Sequence, residues 1–385
     1  MQIITDTDAL AQLATRLAGG DYITIDTEFV RERTYWPVLC LIQVANDDEA
    51  AIIDPLAKGI DLTPLLTLLA DESVLKVFHA AGQDLEIFCK LMGGKLPRPV
   101  FDSQIAAMVC GFGDQIGYDR LVEQVTGTKI SKSSRFTDWA RRPLTQKQLD
   151  YAIGDVTHLR DIYKHLMELL VKNGRGPWLD EDMARLLDPA TYIVEPEQAW
   201  EKVKFRRPQK PRFLAMMKAV ASWREQAAQD RDLPRGHILK DDALNEIASH
   251  PPKDAKALER IRGVSKGFAQ GKMGKGLLDA VERGLSMPKD EVPVLPKGKR
   301  TRKIDDTVRA MLRAVLRHCC EDQGVASRMV ASAADLEDLA SGKPDKDNKA
   351  LNGWRYDLFG KKAEALLDGK LALAVEKGQP VLREL

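Results

Sequence analysis

The chain contains 385 residues, of which 44% are hydrophobic and 30% are charged, and its formal net charge is +1. That length suits roughly two to four domains, and no apolar run is long enough to span a bilayer, which excludes a membrane-embedded class. The first eight residues lack a basic segment followed by an apolar one, so we expect no secretory signal and a cytoplasmic location.

Cysteine usage and charge distribution narrow the choice of function. The first 170 residues are net acidic and the rest are net basic, which suits cation binding in the front half and a polyanion such as nucleic acid in the rear half. The five cysteines form neither an even framework nor a CxxC pair, which is typical of a reducing compartment and argues against structural zinc; they are Cys40, Cys89, Cys110, Cys319 and Cys320.

The front half reads as strands that give way to helices. Short apolar stretches bounded by charged and small residues predict strands, and apolar residues at helical spacing predict helices. Strands followed by an alternation with helices indicate an α/β domain with a mixed sheet. The predicted strands are 22–29, 39–45, 49–54 and 74–79, and the predicted helices are 62–69, 83–92, 103–109, 118–125 and 145–171.

Acidic residues stand at the ends of three of these segments. Asp26 and Glu28 end the strand Tyr22–Phe29 on one face, because side chains two apart in a strand point the same way. Two adjacent carboxylates repel one another unless a cation lies between them, so a metal site is the first hypothesis. Asp84 lies in the first turn of a predicted helix, and Tyr151 and Asp155 share one face of another.

Each of these features also fits a simpler interpretation when it is taken alone. Asp26 and Glu28 could be two solvated acids at an exposed strand edge. Asp84 could merely complement a helix dipole, and Tyr151 could be an ordinary, partly buried tyrosine beside a surface acid.

Together these five residues resemble the DEDD superfamily of 3′→5′ exonucleases, in the subgroup with Tyr in its third motif, and within it the ribonuclease D family. The resemblance extends over most of residues 20–170, and no catalytic position departs from the pattern. The matching stretches are Asp26–Val30, Arg33–Tyr35, Leu41–Gln43, Ile53–Pro55, His79–Ala81, Asp84–Glu86, Phe101–Asp102, Thr137–Trp139, Arg142–Leu144, Tyr151–Ala152 and Asp155–Val156.

The resemblance implies a ribonuclease H-like fold and two divalent metal ions, Mg²⁺ or Mn²⁺. In such a site Asp26 would bridge both ions, Glu28 and Asp155 would hold the ion that activates water, and Asp84 would complete the second site through water. Tyr151 is not a plausible free base, since the unperturbed pKa of tyrosine is near 10. Its implied role is to orient the nucleophile.

Four further residues are candidates for substrate binding. Phe29 and Val30 follow the acidic strand end, and related enzymes use this segment to contact the terminal nucleotide; Phe29 as a plain core residue is the alternative. Lys132 and Arg135 lie in a polar stretch that could approach the scissile phosphate, although a solvated loop is equally compatible.

The rear half reads as a connector followed by helices. The connector ends in the basic run Lys204–Arg212, which suits either an extended backbone along phosphates or a solvated linker. From Phe213 the pattern is helical and resembles the helicase-and-ribonuclease-D C-terminal (HRDC) domain. The matching stretches are Trp223–Glu225, Leu233–Arg235, Ile238–Leu239 with Asp241, and Leu244 with Ile247–Ala248. A weaker resemblance to the same domain, at Leu336–Ala340 and Gly353–Arg355, suggests a second helical domain. That domain could bind RNA or serve only to pack against the others.

We therefore predict an α/β exonuclease domain followed by two small all-α helical bundles. The boundaries are 1–171 for the exonuclease domain, 172–210 for the connector, 211–290 for the first HRDC domain, 291–304 for a basic Pro-rich linker and 305–385 for a second, divergent HRDC-like domain. The predicted protein is a monomeric, metal-dependent 3′→5′ exoribonuclease that trims precursor RNAs, tRNA foremost, and releases nucleoside 5′-monophosphates. A DNA exonuclease and a non-catalytic RNA-binding scaffold are the alternatives.

Overall fold

The computed structural model describes residues 2–131, 133–205, 210–295 and 305–385. Two compact units can be recognised, and each is built from separate stretches of the chain. The sheet unit takes its described residues from Met1–Glu28, Leu41–Asp188 and Gly298–Leu385, and the helical unit takes its own from Phe29–Cys40 and Pro189–Lys297.

A six-stranded mixed sheet lies at the centre of the sheet unit. Its strands, in the spatial order β1-β4-β3-β2-β5-β6, are β1 (Gln2–Ile4), β2 (Tyr22–Val30), β3 (Val38–Ala45), β4 (Ala50–Ile53), β5 (Leu75–Phe78) and β6 (Val100–Asp102). The β3–β4 pair is antiparallel, whereas β5 runs parallel to both β2 and β6. Ile23 and Ile25 on one face of β2 and Thr24 on the other are fully buried, which is typical of a central strand covered on both faces.

Seven helices accompany the sheet. They are α1 (Thr7–Leu17), α2 (Thr63–Ala70), α3 (Gly82–Leu91), α4 (Ser103–Val109), α5 (Tyr118–Thr126), α6 (Gln146–Asn173) and α7 (Asp180–Leu186). The long α6 begins with a capping box between Thr145 and Gln148, and it ends at Gly174, whose left-handed φ of 64° suits glycine. Its start is therefore well defined, and this end of the helix carries two of the candidate site residues.

The predicted mixed sheet is confirmed, and three elements were missed. The strands β1 and β6 have only three residues each, too few to show an alternating pattern. Helix α1 does carry a recognisable apolar stripe of Leu10, Leu13, Ala14 and Leu17, so helical periodicity could have found it.

The last stretch of the chain shares a hydrophobic core with the sheet. Leu159 and Ile162 of α6 belong to the same buried cluster as Leu312 and Val315. This stretch contains α14 (Asp306–Gln323), α15 (Ser327–Val330), α16 (Ala333–Ala340), α17 (Gly353–Arg355), a π-helical turn (Tyr356–Gly360), α18 (Lys361–Leu367) and a hairpin of β7 (Leu371–Glu376) and β8 (Gln379–Glu384). The prediction of helices here did not include that terminal hairpin.

A buried arginine ties the last stretch to the helix α7. The Arg355 side chain is 1% exposed, donates to the backbone carbonyl of Met329 at 2.7 Å and to the Asp182 carboxylate at 2.8 Å, and also contacts Glu181. The indole of Trp354 stacks on that of Trp178 with ring centroids 4.1 Å apart. Charge pairing and stacking therefore hold the last stretch to α7 and Trp178 within the sheet unit.

The helical unit contains six helices and a segment that comes from far earlier in the chain. The helices are α8 (Pro211–Arg231), α9 (Arg235–Ile238), α10 (Asp241–Ser249), α11 (Ala255–Glu259), α12 (Lys266–Gln270) and α13 (Lys272–Ser286), and short 3₁₀ turns precede them at Pro189–Thr191 and Pro196–Lys202. Met216, Met217 and Val220 of α8 are fully buried in the core of this unit.

The early segment, Phe29–Cys40, is anchored through Tyr35. The Tyr35 hydroxyl contacts the fully buried Glu225 and accepts from Gln229 at 3.2 Å and from Arg235 at 3.0 Å. Arg235 also donates to both Glu225 oxygens, at 2.5 and 2.7 Å. The segment that directly follows the acidic strand end is therefore part of the helical core.

Some sequence-based predictions fall outside the described residues, namely Lys132, residues 206–209 of the basic run ending at Arg212, and the linker beyond residue 295. Within the described ranges, no helix has both the length and the apolar content needed to cross a bilayer.

Candidate active site

Three carboxylates converge where β2 meets α6. Ligand oxygens of Asp26, Glu28 and Asp155 all lie within 4.8 Å of one another. Strand periodicity puts the first two on one face of β2, and α6 contributes the third from its third turn. The acids that the sequence placed in one strand and one helix are thus brought together.

Asp84 approaches the same site from the start of α3. Its buried carboxylate accepts a 2.5 Å hydrogen bond from the Thr27 hydroxyl, between Asp26 and Glu28 on β2. Asp84 is not a member of the three-residue group, but its charge raises the pKa of Glu28. The fourth acid therefore lies beside the cluster and is held by the strand that carries it.

Burial and mutual repulsion disfavour ionisation of all four acids. Burial is the main reason that the pKa of Asp26 and of Asp84 lies well above the usual value, and charge from a neighbouring acid adds to it. Burial and the charges of Asp26, Asp155 and Asp84 raise the pKa of Glu28 to about 10. Burial raises the pKa of Asp155 to about 7, against the lowering effects of a Tyr151 hydrogen bond and the Arg135 charge.

Two tyrosines surround Asp155. The hydroxyl of Tyr151 donates to the Asp155 carboxylate, and burial followed by the charges of Asp155 and Glu28 raises the pKa of Tyr151. Tyr151 therefore keeps its proton near neutral pH and acts as a donor. The second, Tyr118, was missed by sequence analysis; its hydroxyl donates to the backbone carbonyls of Gly154 and Asp155 at 3.1 and 2.8 Å.

Two other buried residues that sequence analysis did not assign fix the backbone around the acids. The Thr24 hydroxyl, on the same face of β2 as Asp26, donates to the carbonyl of Val156 at 2.9 Å and joins β2 to α6. Asp102 accepts from the amides of Ala80 and Ala81 at 3.1 and 2.8 Å, and so holds the turn that leads into α3. The period-2 pattern that placed Asp26 and Glu28 could have indicated Thr24, whereas nothing local indicated the Asp102 contacts.

The substrate-binding candidates are less uniform in position. Phe29 and Val30 are half-buried and end β2. Arg135 is exposed, and its charge lowers the pKa of Glu28, Tyr151 and Asp155. Lys132 lies outside the described residues.

The donor set fits hard divalent cations. Carboxylate oxygens are the ligands that Mg²⁺ and Mn²⁺ favour, and the three acids are close enough to share one site. The repulsion that raises their pKa values would be relieved by a cation between them. The sulfur and imidazole ligands that zinc favours do not contribute to this group.

Comparison with known proteins matches both the exonuclease part and the helical part of the chain to known families. Residues 1–171 match a family model described as a 3′-5′ exonuclease, and residues 213–281 match one described as an HRDC domain. Relatives named ribonuclease D from Nitrobacter hamburgensis and Gluconacetobacter diazotrophicus are both 49% identical to this chain, over 99% and 97% of its length and 99% and 94% of their own. The crystal structure of Escherichia coli RNase D, with 32% identity, covers 96% of this chain and 98% of its own, with a TM-score of 0.79.

The fold and the exonuclease match define a 3′→5′ exonuclease of the DEDD type with an HRDC domain behind it. With close relatives along nearly its whole length, the chain belongs to the ribonuclease D family. It is a 3′→5′ exoribonuclease whose substrate is RNA, and its fold implies divalent metal ions.

Proposed function

We propose that this exoribonuclease trims the 3′ ends of precursor RNAs, tRNA foremost, with two divalent cations, and releases nucleoside 5′-monophosphates. The cations are Mg²⁺ or Mn²⁺, and the residues that would hold them are Asp26, Glu28, Asp84 and Asp155. The observation that carries the proposal is the convergence of three carboxylates within 4.8 Å in a setting that raises their pKa values. When bound, the cations would activate the attacking water and stabilise the departing 3′-oxygen.

The protein's own groups would orient the reactants. Tyr151 keeps its proton and is hydrogen-bonded to Asp155, so it is suited to hold the attacking water in line rather than to remove its proton. Arg135 supplies a positive charge that acts on Glu28 and Asp155, which suits contact with the scissile phosphate. Phe29 and Val30 would contact the terminal nucleotide, and Lys132 would add a second cation.

The preference for tRNA is supported by what relatives act on. The E. coli RNase D is an exoribonuclease involved in structured RNA processing. We infer by similarity that this chain also acts on structured RNA, with the predicted helical domains at 211–290 and 305–385 binding the body of the molecule. A monomeric enzyme of the cytoplasm is part of the proposal; the five free cysteines support the reducing location, and light scattering tests the monomer.

The test is degradation of a 5′-labelled tRNA with a short 3′ extension beside a DNA oligomer, each with Mg²⁺, Mn²⁺ or EDTA. We expect a metal-dependent ladder that stops near the mature tRNA end, with DNA spared. Degradation of the DNA oligomer as fast as the RNA would contradict the assignment of RNA as the substrate. No cleavage with either metal would favour the alternative of a non-catalytic RNA-binding scaffold.

The roles of the acids are tested in the same assay with a matched pair of variants. Asp155→Asn should abolish hydrolysis and leave RNA affinity within a few-fold. Asp150→Asn, at an exposed position on the same helix α6, should leave hydrolysis unchanged. Loss of RNA binding without a specific loss of chemistry in Asp155→Asn would contradict the assigned role.

A further inference from the structure

A tight turn at residues 134–137 precedes helix α6. The backbone amide and the hydroxyl of Thr137 both donate to the carbonyl of Ser134, at 3.2 and 2.8 Å. Ser134 is only 5% exposed. The two base residues of the turn are thus fixed to each other, and Arg135 and Phe136 are left at its tip.

The base of this turn is attached to the first turn of α6. Gln148, which forms the capping box of the helix, donates to the Thr137 hydroxyl at 3.1 Å. The Ser134 hydroxyl donates to the carbonyl of Lys147 at 3.4 Å. Because α6 also carries Tyr151 and Asp155, the turn is held at a defined position relative to the acids.

The tip presents an aromatic ring and a cation to solvent. Phe136 is 90% exposed, more than the other large hydrophobic side chains that the structure describes. The Arg135 guanidinium carbon lies 5.3 Å from the centre of the Phe136 ring, within the range of a cation–π contact. A phenylalanine held out of the core on an anchored turn contributes little to folding, since apolar side chains stabilise a fold by being buried.

The tip lies at the end of α6 that carries two catalytic residues, because its base is bonded to the first turn of this helix and Tyr151 and Asp155 follow in the second and third turns. The Arg135 charge also acts on Glu28, Tyr151 and Asp155, and an RNA 3′ end must reach these groups to be cleaved. An aromatic ring beside a cation is the pair that single-stranded nucleic acid uses, because bases stack on the ring and phosphates pair with the charge. Stacking on an aromatic side chain accepts every base, which suits an enzyme that removes successive nucleotides.

We propose that Phe136 stacks on one of the last three bases of the bound RNA while Arg135 pairs with the adjoining phosphate, so that the tip of this turn is a nucleotide subsite. The inference rests on the proposed function, since it needs RNA in the acid cluster. The ligand of this subsite would be an unpaired nucleotide at the 3′ end of RNA.

The experiment compares Phe136→Ala and Phe136→Trp with the wild-type chain on single-stranded RNA in Mg²⁺, by steady-state kcat and KM. Stacking worth about 1 to 3 kcal/mol corresponds to a KM raised about 5- to 150-fold in Phe136→Ala, with kcat changed far less. Phe136→Trp should restore the wild-type KM. Val171→Ala, which shortens an exposed side chain near the far end of α6, is the control and should change neither constant.

A second comparison identifies the base that is stacked. KM is measured for the wild-type chain and for Phe136→Ala on RNAs with an abasic nucleotide at the last, second-last or third-last position. At one of these positions, loss of the base should raise the wild-type KM and leave that of Phe136→Ala unchanged, because the contact is already absent. Equal responses of the two chains at all three positions, or a KM of Phe136→Ala equal to wild type, would overturn the subsite and leave the exonuclease proposal standing. Absence of RNA cleavage by the wild-type chain would overturn both.

Discussion

Asp155→Asn should stabilise the metal-free protein while it abolishes activity. In the folded chain, burial raises the pKa of Asp155 to about 7 from the ordinary aspartate value of 3.8. Folding without metal therefore requires an ionised carboxylate to be buried near Asp26 and Glu28 whenever the pH exceeds that value. Asparagine has nearly the same shape and carries no charge, so it removes this cost.

The magnitude follows from the change in pKa. A change of about three units corresponds to about 4 kcal/mol at about 1.4 kcal/mol per unit, and water penetration into the cluster lowers it to roughly 2 kcal/mol. Since the folded-state pKa is raised, the stability is fully present below about pH 4 and is lost as the pH rises through about 7. The advantage of Asp155→Asn should therefore be about a third of its full size at about pH 5, where only the unfolded chain has lost the proton, and complete at about pH 8.

The assay is urea unfolding in EDTA at about pH 5 and about pH 8, with Asp150→Asn as the matched exposed control. At the higher pH we expect Asp155→Asn to exceed the wild-type chain by about 2 kcal/mol and the control to equal it. Adding Mg²⁺ should stabilise wild type more than Asp155→Asn, by about 2.7 kcal/mol at a hundredfold excess over Kd for a site that the variant no longer forms. The reasoning is refuted if Asp155→Asn is the less stable chain in EDTA at about pH 8, or if its advantage does not change with pH.

Three further substitutions test groups away from the metal ligands. Thr24→Val removes the buried donor that joins β2 to α6. It should lower the free energy of unfolding by about 1 to 3 kcal/mol and lower kcat more than it raises KM. An unchanged kcat would show that this hydrogen bond does not position Asp155. Tyr35→Phe should cost about 1 to 2 kcal/mol in urea unfolding, because Glu225 loses a hydroxyl partner; an unchanged midpoint would contradict this. Arg355→Met removes the buried partner of Asp182, which keeps Arg185 and Lys349, so thermal unfolding should report a loss of about 1.5 to 3 kcal/mol, whereas an equal or higher Tm would make the pairing dispensable.

The sheet and the acidic cluster could be predicted from the sequence because their signals are local. The alternation in β2 puts Asp26 and Glu28 on one face, and helical spacing puts Tyr151 and Asp155 on another. The terminal hairpin was equally local: its turn has left-handed φ angles of 51° and 81° at Lys377 and Gly378. The hairpin was missed because helices were expected throughout this region.

The contacts that could not be predicted are those made across long distances in the chain. Tyr35 and Glu225 are separated by 190 positions, and no local pattern shows that a tyrosine after the acidic strand belongs to the core of a helical bundle. The same holds for Arg355 and Asp182, which are 173 positions apart. Periodicity identifies which faces are apolar, but it does not identify which distant partner covers each face.

The interleaving of the two units has a consequence for the order in which the chain can fold during synthesis. The core of the sheet unit includes residues between Leu312 and Leu366, so it remains incomplete when the ribosome has passed the last residue of α6. Roughly 200 more residues must be added, which at about 5 to 20 residues per second takes about 10 to 40 seconds. During this interval the buried cluster that Leu159 and Ile162 share with Leu312 lacks its later members, and the nascent nuclease is a candidate for chaperone binding although all of its catalytic acids have been synthesised.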